Sequence, residues 1–423
     1  MSTPLPVESR QTSNVFHGAL ETLETAAAVG KIRPSVVQLL TSPRRILEMR
    51  LPITMDDGTL RVFTAYRVHY CDALGPARDG TRIRAGLGID ELKALALFMT
   101  IKHAVAHLPA GGAKGGIVAD PDQLSRGELE RLCRSFIRHL EPKGPWADVP
   151  GADIGTSAVT MGWMLDEYEQ IMGLHSPAAI NDKPPILGGS LGGAEATGRG
   201  VFLTILAMAN RMGLDVSTSS AAVQGFGQVG GTVARLLHQT GCRVVAVSDI
   251  HGGVWSDAGL DIGALESHAR DGGRLVEFTG AKRVSNDDVL VSECEILIPA
   301  AVQSVVHRKN AKDVRAILIA EGANGPVTPE AERELLDRGV TIIPDVVANC
   351  GSAIVCQFER AQGLTGSRWS LGKVNRRLER AIVGCLEETA SAAGEMQTRS
   401  LRHAAWANAL KRIEEAMLFR GWI

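Results

Sequence analysis

The chain has little of what marks several function classes. Its 45 Lys and Arg against 47 Asp and Glu leave a formal net charge of -2, so no excess of one sign argues for nucleic acid or a membrane surface as partner. No apolar run reaches the length of a bilayer span. Met1 to Gln11 carries neither a basic start nor an apolar core, so no secretory leader is expected. None of the seven cysteines (71, 133, 242, 294, 350, 356 and 385) has the CxxC spacing of a zinc or redox site. An odd number of unpaired thiols fits a reducing cytoplasm. His103 and His107 stand four apart, but Ala104 follows His103 where an HExxH site needs Glu, so no metal site is expected. There is no sustained repeat or heptad.

What is present is an ordinary soluble composition, 22% charged and 45% hydrophobic over 423 residues, enough for two cores. Apolar spacing predicts helices over 14–30, 90–108 and 125–140, the last with Ser125 and Glu128 as a capping box. Alternation predicts strands over 45–52 and 60–70, joined by a hairpin at 55–59. Pro184, Pro185 and a run of glycines mark a boundary near 185. Beyond it, short apolar strands at 221–224, 243–248, 295–299, 316–320 and 341–344 alternate with helices. That order implies a parallel sheet covered on both faces, an α/β fold. Two helices, 371–393 and 399–419, close the chain.

The stretch Pro109-Ala110-Gly111-Gly112-Ala113-Lys114-Gly115-Gly116 encloses one lysine among glycines. It is not a phosphate loop, because its spacing is different and no Ser or Thr follows the lysine. Two readings are open for the motif alone: a solvated lysine in a glycine-rich turn, or a desolvated amine whose pKa burial lowers toward that of a base. Two further singular charges stand out. Lys102 falls near the buried stripe of Leu92, Leu95 and Met99, where a lysine needs an anionic partner or a stem that reaches solvent. Asp153 sits in a Gly/Ala turn, Pro150 to Thr156.

The most legible local pattern is Gly225-Phe226-Gly227-Gln228-Val229-Gly230. It follows a strand and opens a helix, and a second strand ends at Asp249, 19 residues past Gly230. This is the context of a dinucleotide site. Glycines allow the turn and the approach of the pyrophosphate, and the acid receives a ribose hydroxyl. Asp249 repels a 2′-phosphate, which favours NAD over NADP.

Taken together, these blocks resemble the glutamate dehydrogenase family, within the Glu/Leu/Phe/Val dehydrogenase superfamily. The resemblance runs from about Arg45 to the end. It rests on Met99 to Lys102, LPAGGAKGGIVADP from Leu108, GADIGT from Gly151, GGSLGGAEATGRG from Gly188, the 224–230 turn, VAVSDIHGG from Val245, EGANGP from Glu321 and Pro344 to Gly351. It implies an N-terminal α/β substrate and oligomerisation domain, 1–185, with 396–423 packing back on it. It also implies a Rossmann-like domain over 186–395, and an active site in a cleft that closes against water. The implied reaction is reversible oxidative deamination of an L-amino acid to a 2-oxo acid and ammonia. By resemblance, Lys114 is the catalytic low-pKa lysine, Asp153 the proton shuttle and Lys102 the α-carboxylate ligand. Arg78, Met99, Asn349 and Cys356 bind substrate. Thr197, Ala300 and Asn324 join residues 225–230 and Asp249 around the cofactor. A cytoplasmic homo-hexamer is implied, with a hetero-oligomer containing a paralogue as the alternative.

The departures concern the substrate pocket. Relatives read Gly-Pro-x-Lys-Gly-Gly where this chain has Gly75-Pro76-Ala77-Arg78-Asp79-Gly80. Arginine keeps the charge that pairs with a side-chain carboxylate, and the adjacent Asp79 is able to neutralise it. Cys356 replaces a serine, and cysteine is a weak donor. Gln228 replaces a common asparagine, Gly193 an arginine and Ser304 an asparagine. The residues therefore leave open a glutamate dehydrogenase with an altered pocket, a dehydrogenase of another amino acid, and a regulatory subunit with little turnover.

Overall fold

A computed structural model of the protein describes residues 8–423, with side chains from Val15 onward. Most of Met1–Gln11, where no leader was expected, lies outside the described residues. In chain order the elements begin with α1 (Glu8–Gly30), α2 (Pro34–Leu40), β1 (Arg45–Thr54), β2 (Leu60–Cys71), β3 (Ala77–Ile83) and α3 (Ile89–Val105). Next come β4 (Gly111–Ile117), α4 (Arg126–His139), β5 (Asp148–Ala152) and α5 (Ala158–Met172). Then follow α6 (Ala196–Met212), β6 (Ser220–Gln224), α7 (Gln228–Gln239), β7 (Arg243–Asp249), β8 (Gly252–Trp255), α8 (Ile262–Arg270), β9 (Lys282–Val284), α9 (Asn286–Leu290) and β10 (Ile296–Pro299). The last are β11 (Leu318–Ala320), α10 (Pro329–Asp337), β12 (Thr341–Ile343), α11 (Asp345–Ala348), α12 (Gly351–Thr365), α13 (Leu371–Glu395) and α14 (Leu401–Phe419).

The chain divides into two compact units. One comprises the described residues up to Leu191, with Ala353–Val374 and Trp406–Ile423; the other comprises Gly192–Ser352 and Asn375–Ala405. Residues 353–374, placed by sequence in the second unit, group with the first.

The first unit is built on a five-stranded sheet in the order β1-β2-β4-β3-β5. β1 and β2 pair antiparallel, and β3 runs parallel to both β4 and β5. Met49, Leu51 and Ile53 alternate inward along β1 and meet Phe63, Leu132, Phe136 and Met161 in one apolar cluster. The capping box of α4 forms as its sequence predicts: Ser125 Oγ accepts from the Glu128 amide at 3.1 Å, and the Glu128 carboxylate accepts from the Ser125 amide at 2.9 Å. Trp406, fully buried near the start of the returning C-terminal helix, meets Phe98 edge to face at 5.7 Å.

Two segments that carry the site are strands, one of them the glycine-rich stretch for which a turn was one of the open readings. Residues 77–83 form β3, and the glycine-rich stretch 111–117 forms β4, wholly buried between β2 and β3. Glycine disfavours strands by propensity. Here close packing overrides that preference. A Cβ on Gly112 would lie 2.1 Å from Thr100 Oγ1 and 2.5 Å from the Ala96 carbonyl, so α3 rests directly on strand backbone. Residues 351–356 begin α12.

The second unit holds a seven-stranded sheet in the order β12-β11-β10-β6-β7-β8-β9. The first five strands pair parallel, and β8 and β9 add an antiparallel edge. β6 lies between β7 and β10, the place where strand order reverses and where open sheets of this kind hold ligands beyond their C-terminal ends. The α/β class with a parallel sheet, expected from the alternation of elements, is the fold observed.

Candidate active site

In the first unit, three neighbouring strands deliver charged groups to one place. Lys114 stands in the middle of β4 and is 6% exposed. Its Nζ lies 2.6 Å from Asp153 Oδ2, just beyond β5, and 2.6 Å from Asp79 Oδ2 on β3. Asp153 also accepts from Arg82 Nε at 3.2 Å and from the Ile154 amide at 2.8 Å. Arg82 Nη1 donates to Glu91 Oε1 at 2.6 Å, and Glu91 also pairs with Arg84. The result is an alternating chain, Asp79–Lys114–Asp153–Arg82–Glu91–Arg84, with no net charge.

This geometry corrects one expectation. Burial alone pushes the Lys114 amine down, as the sequence reading supposed. The carboxylates of Asp153 and Asp79, opposed only by Arg82, outweigh burial and hold its pKa above the ordinary value. Burial likewise pushes Asp153 up, and Lys114 and Arg82 reverse this, so its carboxyl lies well below the usual range. The resting site is an ion pair, not a neutral amine.

Arg78, from β3, is 2% exposed. It donates to Gln357 Oε1 at 2.7 Å and to the Ala353 carbonyl at 3.2 Å, both on α12. Cys356 Sγ, one residue before Gln357, lies 3.2 Å from Asp182 Oδ1. Burial pushes the Cys356 thiol far up, and the nearby Asp182 and Glu359 push it further, so it stays protonated and donates. Burial also raises Asp182. Lys102 is 6% exposed on α3, so its stem does not carry the ammonium out to water; Met99 is half-buried on the same helix. His103 donates from Nδ1 to the Gly111 carbonyl at 2.9 Å. Burial, with Arg78 and Lys102 nearby, keeps it neutral, a packed core histidine.

The second unit groups the remaining residues. The 225–230 turn joins β6 to α7. A Cβ on Gly230 would lie 1.8 Å from the Gly225 carbonyl oxygen, so the helix starts against the turn only with glycine there. A Cβ on Gly227 would meet nothing within 4 Å. That open space lies at the N-terminus of a 12-residue helix with no side-chain cap, which suits a pyrophosphate. Asp249 ends β7 half-buried, its Oδ1 accepting from the His251 amide at 2.7 Å. These residues fit a dinucleotide. Ala300 abuts Gly225, and Gly322 packs on Ala300. Phe226 and Val229 are half-buried along the turn, Gln228 donates to the Ala194 carbonyl at 2.5 Å, and Thr197 lies in the first turn of α6. Asn349, expected at the substrate, donates to Asn324 Oδ1 and the Ala323 carbonyl, each at 3.1 Å, and so braces the turn that carries Asn324.

Sequence reading missed Asp79 as a partner of Lys114, and missed Arg82, Glu91, Gln357 and Asp182 altogether. The available signal was charge: Arg78, Asp79 and Arg82 crowd a seven-residue stretch that alternates poorly for a solvent loop.

Comparison with known proteins agrees with this architecture. Residues 188–421 match the family model Glutamate/Leucine/Phenylalanine/Valine dehydrogenase, and residues 43–170 match the model Glu/Leu/Phe/Val dehydrogenase, dimerisation domain. The chain is 38% identical to a glutamate dehydrogenase of Thermotoga maritima, over 96% of this chain and 98% of that one. It is also 38% identical to an NAD-specific glutamate dehydrogenase of Clostridioides difficile, over 97% and 98%. A hetero-hexameric glutamate dehydrogenase from Thermus thermophilus, solved with leucine bound, superposes with a TM-score of 0.93 at 36% identity, covering 99% of both chains. The chain belongs to the Glu/Leu/Phe/Val dehydrogenase family and is an amino acid dehydrogenase.

Proposed function

We propose that the chain catalyses the reversible oxidative deamination of L-glutamate to 2-oxoglutarate and ammonia with NAD. The observation that carries this reading is the buried Lys114–Asp153 pair, set in the same unit as two further buried cations, Arg78 and Lys102. A dicarboxylate needs two cationic anchors beside the reacting carbon, and a deamination needs a base and a proton carrier there.

In this reading Lys102 holds the α-carboxylate and Arg78 the side-chain carboxylate, using guanidinium donors beyond those given to Gln357 and Ala353. Asp153 takes a proton from the substrate ammonium. Residues 225–230 would hold NAD at the start of α7 and Asp249 would receive its ribose; the chemistry it would supply is acceptance of a hydride. Lys114, once it has lost its proton, takes one from the water that attacks the resulting imine. Asp153 returns a proton to nitrogen, and as ammonia leaves the carbinol hydroxyl gives its proton to solvent, which leaves the 2-oxo acid. The names of the Thermotoga and Clostridioides relatives support the substrate, and the latter also supports NAD. Asp249 disfavours a 2′-phosphate, so NADP is the poorer cofactor. The assembly is a hexamer of copies.

A second reading rests on Arg78 being tied to α12 and on Cys356 facing Asp182, in a chain that superposes closely on a hetero-hexameric relative. It is a regulatory subunit that binds an amino acid and turns over little. The deciding experiment is nicotinamide reduction by the purified protein with L-glutamate, aspartate, leucine, valine and phenylalanine, each with NAD and with NADP. Preferred turnover of glutamate with NAD supports the proposal. Preference for an apolar amino acid overturns it. Silence with nucleotide bound selects the regulatory reading.

A further inference from the structure

The proposed reaction needs Lys114 and Asp153; it does not need Asp79. Yet Asp79 Oδ2 sits as close to the Lys114 ammonium as Asp153 does, at 2.6 Å. Its placement is built, not incidental. The Asp79 carbonyl accepts from Arg67 Nη1 at 2.9 Å. Arg67 is fully buried and forked onto Asp148, donating from Nε at 2.8 Å, while Asp148 also meets His69 Nε2 at 2.7 Å. A buried ion pair from two other strands thus fixes the backbone from which the Asp79 carboxylate reaches Lys114.

We propose that Asp79 is a positioning residue that holds Lys114 in its charged form, and so sets the pH above which the amine is available as a base. The proposal rests on the assignment of Lys114 as that base.

Charged groups reach the Lys114 site from several elements, and Asp182, which precedes α6, feels the Asp79 charge as well. β2 supplies Arg67 and His69, which face Asp148. β3 supplies Asp79, Arg78 and Arg82, the last paired with Asp153 and Glu91. α3 supplies Glu91, Lys102 and a neutral His103. β5 supplies Asp148, and the turn after it Asp153. Only Asp79 and Asp153 touch the ammonium as anions, and Arg82 shares Asp153. Asp79 makes no other side-chain ion pair among the described residues, so its removal subtracts one full negative charge from the lysine's surroundings. The proton is then lost to solvent at lower pH.

The test uses the full-length protein and the variants Asp79→Asn, Asp79→Gly and Asp79→Glu. Brief acetic anhydride labelling across pH, read by mass spectrometry at the peptide containing Lys114, follows the titration of that amine whether or not the enzyme turns over. The pH dependence of kcat/KM for glutamate is measured in parallel. D79N lowers the labelling midpoint by about one pH unit or more, as removal of an adjacent opposite charge does. The rising limb of kcat/KM moves with it, and D79E restores both. D79G serves the same purpose if D79N does not fold. An unchanged midpoint in a folded variant, or a Lys114 that stays unlabelled in every form, overturns the proposal. A shifted midpoint with no glutamate turnover in any form leaves Asp79 in its role and sinks the glutamate reading instead.

Discussion

Each unit buries a cation that meets more than one carboxylate, Lys114 in the first and Arg402 in the second, and the two solve the charge problem in opposite ways. In the first, Lys114 lies between Asp79 and Asp153, and Arg82, Glu91 and Arg84 continue the alternation until a partly exposed guanidinium ends it. In the second, Arg402 at the start of α14 is hydrogen-bonded to Glu321 at 2.6 Å, Glu332 at 2.6 Å and Asp345 at 3.0 Å. Three buried carboxylates against one guanidinium leave negative charge uncompensated, and burial makes that costly. The excess is relieved by a proton. Burial pushes Glu321 up, Arg402 opposes it, and the neighbouring Asp345 and Glu332 add to it, leaving its pKa at about 8. Burial pushes Glu332 up as well, but Arg402 and a hydrogen bond from Ser400 Oγ hold it below its usual value. Where the charges alternate, the mobile proton belongs to the amine; where they do not, it belongs to a carboxyl. The first arrangement suits proton transfer. The second suits bracing: Asp345 accepts from the Gly325 amide at 2.9 Å and Glu321 from the Asp345 amide at 2.8 Å, which ties together the loops bearing Asn324 and Asn349.

The largest effect that would sharpen this contrast is on chemistry. Lys114→Ala removes the proton-transfer group, and kcat falls by about 10² to 10⁴. Nucleotide binding, measured by fluorescence titration, persists. Turnover within a few-fold of the parent would end the assignment of Lys114. The matching change in the second unit acts on stability. Arg402→Met strands three carboxylates, and the urea midpoint falls by the equivalent of about 3–5 kcal/mol. A loss below about 1 kcal/mol would mean that the cluster relaxes or hydrates, and that it braces nothing.

Much of this contrast was hidden in the sequence, for reasons that particular residues make plain. The 225–230 turn and Asp249 were legible because a strand, three glycines, a helix and a terminal acid stand in fixed local order. The capping box at Ser125 was legible for the same reason. Lys114 was singled out, but a turn was one of the open readings of its stretch. Glycine signals loops in a sequence, and the close approach of α3 that demands glycine in β4 is a tertiary fact. The direction of the lysine's pKa was misread because burial is guessable from sequence whereas partners 35 and 39 positions away are not. Arg402 went unnoticed entirely. Glu321, Glu332, Asp345 and Arg402 span 81 positions; the pairing of β11 with β12 brings Glu321 and Asp345 together, and α10 and α14 bring Glu332 and Arg402 to them.

The protonated carboxyl yields a smaller effect with a definite sign. Glu321 has an ordinary value of 4.5 and about 8 in the folded protein. Between those values the folded state holds a proton that the unfolded chain has released. Its contribution to stability is therefore full below about 4.5 and is lost as pH rises through about 8. In Glu321→Gln the side chain is neutral at every pH, so the decline across this window flattens. The amide gives up one acceptor, which lowers the midpoint overall, so the slope of urea midpoint against pH is the quantity that decides. A variant with the parent's slope would place the proton elsewhere in the cluster.

The smallest effect belongs to the open end of the first chain. Arg84 is 38% exposed at its side chain and pairs with Glu91, which Arg82 also holds at 2.6 Å. If alternation ending near solvent is what lets this site stay charged, its last member is nearly dispensable, because water screens the charge that its loss uncovers. Arg84→Ala then lowers stability by no more than about 1 kcal/mol. The pH at which Lys114 is labelled barely moves, since Glu91 keeps Arg82 as partner. A labelling shift as large as that of D79N would show that charge is transmitted undiminished from Arg84 to Lys114. The first cluster would then be as closed to solvent as the second, and the distinction between them would rest on composition alone.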